Sequence, residues 1–125
     1  MAKETISWTI DEYLTANGEN LVLAFLSGLS GKAKAEAIAL LKLLQERGNL
    51  LSMPHSRPLG GRLFELRRNQ VRIFFVFRPG HRITVLDGII KKQDRIPSRV
   101  LDRVRRYQKE LVAEDAKASE VGGAR

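Results

Sequence analysis

The spacing of apolar residues changes period along the chain, and each change marks an element. In "ISWTIDEYL", Ile6, Trp8, Ile10 and Leu14 fall at nearly alternating positions, the period of a half-buried strand. Past the turn signal Asn17-Gly18, "NLVLAFLSGL" is a short apolar run with Asn20 placed to cap it as a helix. Ser30 stands where it would cap a second helix, "KAKAEAIALLKLLQER", whose Ala, Leu, Lys and Glu content favours that state. Within it Ile38, Leu41 and Gln45 follow the helical period, flanked by Leu40 and Leu44, and Gly48 sits where a closing glycine belongs. The prolines and glycines of "NLLSMPHSRPLGG" predict a loop. Three strands follow, at Arg62–Arg67, Val71–Arg78 and Arg82–Ile90. The short links Asn69-Gln70 and Pro79-Gly80 make them antiparallel neighbours. A last helix opens near Pro97-Ser98 and carries Val100, Leu101, Val104, Tyr107 and Leu111 on one stripe.

The predicted order is β-α-α-β-β-β-α, an α+β fold. It has a small mixed, mostly antiparallel sheet with two helices before the main strands and one after. One domain is expected over residues 1–112, with 113–125 a flexible tail, because "AEDAKASEVGGAR" has little apolar surface to bury. A chain of 125 residues can bury a core without staples, and none of those residues is cysteine. That removes disulfides, thiolate chemistry and cysteine-bound zinc. His55 and His81 are the only histidines and lack metal-ligand spacing, so neither metal nor cofactor is expected. The amino terminus lacks the apolar run of a signal peptide, and "AIALLKLL" is too short to span a bilayer, which points to the cytoplasm.

Charge sharpens this picture. The chain carries a net +8, and all of the excess lies in residues 57–109, which hold 15 Lys/Arg against 4 Asp/Glu. A localised surplus of that size suits a polyanionic partner, nucleic acid or an acidic protein. The cations enter the strands themselves. In "VRIFFVFR", Val71, Ile73, Phe75 and Phe77 share an apolar face, while Arg72, Phe74, Val76 and Arg78 share the other. Leu63, Glu65 and Arg67 share a face of the preceding strand, where Glu65 is placed to pair with Arg67. Of Lys91 and Lys92, one points to the Arg72 face. Such a cluster of planar guanidiniums and compact ammonium charges suits a phosphodiester and the charge that develops as it reacts. "SGKA" at 30–33 is not a phosphate loop, because Leu26 stands where that loop needs glycine.

The segments "LFELR", "VRIFF" and "VLDGIIKKQDRIP", followed by a basic helix, resemble the HigB branch of the RelE/ParE toxin superfamily, the phage-derived RelE-like type. "SWTIDEYL", "FLSGL", "ALLKLLQERG" and "MPHSRPLGG" carry the likeness through the first half, so that it covers roughly residues 6–111. The resemblance implies the toxin of a type II toxin–antitoxin system. That toxin would cleave mRNA on the ribosome without metal, by attack of a 2′-hydroxyl on the adjacent phosphate, and so inhibit translation. It implies Arg67, Arg72, Lys91 and Lys92 as catalytic residues, with Arg62, Arg68, Arg78, Arg82 and Arg95 binding RNA. It also implies an acidic, helix-turn-helix, HigA-like antitoxin. The stretch "LDGIIKK" departs from relatives that often carry histidine and phenylalanine around the glycine, leaving Asp87, His81, His55 and Tyr107 as proton-transfer candidates. The alternative is a protein of the same fold that acts by binding alone, to antitoxin, RNA or DNA gyrase.

Overall fold

A computed structural model describes residues 7–123; Ile6 of the predicted first strand lies outside them. The elements are β1 (Thr9–Glu12), α1 (Leu21–Gly28), α2 (Gly31–Arg47), a 3₁₀ turn (Gly48–Leu50), β2 (Ser56–Gly60), β3 (Leu63–Arg68), β4 (Val71–Arg78), β5 (Arg82–Ile90) and α3 (Ser98–Gly123). The sheet runs β1-β5-β4-β3-β2, with β1 parallel to β5 and every other pair antiparallel. Helices α1 and α2 cover one face and α3 the other.

The two cores follow from the alternation on β4. Val71, Ile73 and Phe75 pack with Val22, Ala37, Leu40 and Leu44 on the α1/α2 side. Phe74 and Val76 pack with Val100, Val104, Tyr107 and Leu111 of α3. Each fully buried Leu or Phe side chain contributes about 1.5–3 kcal/mol. Where α1 crosses β5, Gly88 admits the Phe25 ring; a Cβ there would lie 2.4 Å from it. Asn20 caps α1 through its side chain, as predicted, whereas Ser30 precedes α2 without a side-chain cap.

Four expectations are corrected. The segment predicted as a loop before Arg62 contains β2, an edge strand in which Pro58 needs no ladder donor. Strand β3 starts one residue later than predicted, because Arg62 adopts φ +72° in the turn. The buried stripe of α2 is Glu36, Ala37, Leu40 and Leu44, while Ile38 is half exposed. Residues 113–123, expected as tail, continue α3, and Asp115 holds that stretch to the sheet through a bidentate pair with Arg78.

Tyr13 and Tyr107 stack at 4.3 Å, and the Tyr13 hydroxyl donates to the Glu110 carboxylate. Burial, then that carboxylate, pushes the Tyr13 phenol well above its ordinary value. The unfolded chain loses this proton near pH 10, whereas the folded chain keeps it. Above that pH the unfolded state binds fewer protons, so stability is full below it and falls as pH rises. Denaturant midpoints between pH 9 and 11 should therefore decline, and Tyr13→Phe should flatten the decline.

Candidate anion-binding site

The face of the sheet that carries the strand cations is closed in its middle by α3 and open at one end. Six steps along β4 separate Arg72 from Arg78, about 20 Å at the rise of a strand. The two arginines therefore lie at opposite ends of the sheet and have different partners.

At the far end, Arg78 forms its bidentate pair with Asp115, which raises its pKa, and Arg82 pairs with Asp11 at 3.7 Å. Arg62 lies in the β2–β3 turn at that same end, and His81 stacks on Trp8 there at 4.3 Å. Arg78 and Arg82 are thus engaged in holding α3 and β1. Tyr107 is a packed core residue, and Asp87 is buried, accepting from Arg103 and from the Gly88 N–H. A bulge puts Leu86 and Asp87 together opposite Phe74, which turns Asp87 toward α3.

At the near end the cations converge. Arg67 and Arg72 are direct cross-strand partners, and Arg57 of β2 faces Glu65. The predicted Glu65–Arg67 pair is not formed. Glu65, almost fully buried, instead lies 3.1 Å from Arg57 Nη2 and 3.7 Å from Arg72 Nε. Arg72 also donates from Nη1 to the carbonyls of Asn69 (2.7 Å) and Val71 (2.9 Å). Burial lowers the Arg72 pKa; Glu65 opposes that, and Arg67 and Arg57 add to it. One carboxylate among three guanidiniums leaves the site with a surplus of positive charge.

The β3–β4 turn fixes this geometry from behind. Asn69 takes φ +52°, and its side-chain amide donates to Glu36, buried on α2 across the sheet. Its carbonyl meanwhile orients Arg72. Arg67, Arg68, Asn69 and Arg72 line an open hollow of about 300 Å³ together with Pro54 and His55. The Arg67 N–H donates to the His55 carbonyl, which sets His55 opposite Arg67. Of the four proton-transfer candidates, His55 is the one that stands beside the paired arginines.

Arg57 and Lys91 also line a larger groove of about 500 Å³, between β2, the loop after β5 and the start of α3, where Arg95 lies as well. The Lys91 N–H donates to the Gln70 carbonyl, so the ladder runs one residue past β5. Lys92 lines a separate hollow with Ile90, Gln93, Arg95 and Pro97. Sequence reasoning missed Arg57: "HSRPLG" alternates Arg57 and Leu59 on one face, but Pro58 and the glycines hid the strand.

The chain is a three-layer α+β fold with cations gathered at one end of its sheet. The fold is similar to that of a solved chain from the toxin–antitoxin complex RelBE2 of Mycobacterium tuberculosis, with TM-score 0.52 and 14% identity, covering 69% of this chain and 100% of that one. The sequence matches the phage-derived Gp49-like protein family (DUF891) over residues 24–109, and the chain belongs to that family. No curated protein matches it.

Proposed function

We propose that the protein is the toxin of a type II toxin–antitoxin pair and acts as an endoribonuclease on mRNA, at the ribosome, stopping translation. Membership of a phage-derived family and the RelE-like fold support the toxin reading. The observation that carries the nuclease reading is the meeting of Arg67, Arg72 and one imidazole, His55, in one open hollow.

In this reading Arg67 and Arg72 hold the scissile phosphate, with Arg57 and Lys91 extending the positive surface toward the groove. His55 takes the proton of the 2′-hydroxyl as the O2′–P bond forms. The P–O5′ bond breaks, the 5′ oxygen takes a proton from water and His55 returns its own to solvent, giving a 2′,3′-cyclic phosphate and a 5′-hydroxyl. The guanidiniums stabilise the extra charge on the phosphorane oxygens. Arg68, in the wall of the same hollow, and Lys92 and Arg95, in the neighbouring one, serve the RNA backbone. An acidic, helix-turn-helix antitoxin of HigA type would neutralise the basic end.

Brief induction in a bacterium, followed by a transcript-wide map of 5′ ends, tests this. New cuts within translated messages are expected from the wild type and not from an Arg67→Ala/His55→Ala variant. Growth arrest without new ends would replace the nuclease by a toxin that acts through binding.

A further inference from the structure

The basic segment 57–109 contains four carboxylates: Glu65, Asp87, Asp94 and Asp102. Two have structural partners, since Glu65 lies between Arg57 and Arg72 and Asp87 accepts from Arg103 and the Gly88 amide. Asp94 and Asp102 form no ion pair among the described residues, although Arg95, Arg99 and Arg105 are close in sequence. Both line the same groove, the one of about 500 Å³ that shares Arg57 with the Glu65–Arg72 cluster. The rest of its wall mixes the apolar side chains of Leu59, Ile96 and Leu101 with Ser98 and the cations Lys91, Arg95 and Arg105. Arg105, also in that wall, already donates to the carbonyls of Leu59 and Gly60.

A hollow meant only for phosphate would carry no free carboxylates, because they repel it. Here the phosphate has its place at the arginine cluster, and the adjoining groove sets two acceptors beside three apolar side chains, among cations that suit the flanking backbone. The size is ample for a planar heterocycle. Carboxylates are acceptor-only groups, so they select the donor-bearing edge of whatever enters. Adenine and cytosine present an exocyclic amino group, and guanine presents an amino group and a ring N–H side by side. Uracil flanks its one ring N–H with two carbonyl oxygens, which a carboxylate repels.

We infer that this groove is a nucleobase subsite, in which Asp94 and Asp102 select an amino-bearing base next to the bound phosphate and reject uracil. The inference rests on the RNA reading above and names the part of the substrate that sets specificity. Leu59, Ile96 and Leu101 cover the face of the base, while Arg57 bridges the subsite to the phosphate site.

The test uses the full chain and 2′-fluoro hexanucleotides of A, C or U, which lack the attacking hydroxyl, with affinity read by fluorescence anisotropy. The wild type should bind the A and C oligonucleotides about 10-fold or more tighter than the U oligonucleotide. Asp94→Asn/Asp102→Asn removes two like charges and should raise affinity for all three. It should also bring the three within about 3-fold of one another, because an amide can donate to uracil oxygens. The ratio between bases is therefore the readout, not the absolute affinity. Equal binding of the three by wild type, or a ratio unchanged in the double variant, would overturn the inference. Because these oligonucleotides cannot be cut, failure to cleave ordinary RNA would count against the nuclease and leave the subsite standing.

Discussion

Replacing Arg67 by alanine is expected to lower the rate of RNA cleavage by about 10²–10³-fold, the loss typical of removing one aligned group that stabilises developing charge. The fold should tolerate it. Arg67 is half-exposed and forms no ion pair among the described residues, so truncation should change stability by about 0.5 kcal/mol or less. A single-turnover assay beside a denaturant melt separates the two effects. A rate within a few-fold of wild type would remove Arg67 from the chemistry. The Arg72 counterpart is less clean, because its loss also leaves the Glu65 carboxylate buried beside Arg57 alone.

Glu65→Ala should instead be a stability variant with a functional consequence. Glu65 is almost wholly buried and faces Arg72, itself buried, and Arg57 at the rim. Removing the carboxylate strands the Arg72 charge, and breaking such a pair costs about 3–5 kcal/mol. The remaining hydrogen bonds of Arg72, to the carbonyls of Asn69 and Val71, put the effect toward the lower part of that range. An urea midpoint shifted by less than about 0.5 kcal/mol equivalents would show that Glu65 does not hold Arg72. Glu65→Gln keeps an acceptor and should recover part of the loss.

Much of the scaffold was legible because the strands announce themselves twice, by alternation and by their turns. Val71–Arg78 and Arg82–Ile90 have the predicted bounds, fixed by Asn69-Gln70 and Pro79-Gly80. β2 was hidden because Pro58, harmless on an edge, reads as a breaker in a linear scan. The α2 stripe was misphased because residues 37–41 are all apolar, so periodicity there does not distinguish Ala37 from Ile38. Alanine at 37 lets the helix approach the sheet closely, and Ile38 is left outward.

The site was legible in kind more than in detail. Strand alternation set Arg67 beside Glu65 and Arg72 beside Arg78 within their own strands, and the β3–β4 register then brings Arg67 opposite Arg72. Which cations are free and which are structural depends on partners far along the chain. Arg78 belongs to Asp115, 37 residues away, and Asp87 to Arg103. His55 joined the arginines only through the pairing of β2 with β3, in a segment read as loop. Likewise Lys91 and Lys92 diverge because the ladder continues through Gln70, a register that spacing alone leaves open.

The central claim is that this arginine-lined end of the sheet cuts RNA by way of the neighbouring 2′-hydroxyl. It is tested most directly by the end groups of the products made by purified protein on mRNA-programmed ribosomes. The account predicts 2′,3′-cyclic phosphates and 5′-hydroxyls from the wild type, and neither from Arg67→Ala. Products with 5′-phosphates, or identical cutting by the variant, would contradict it.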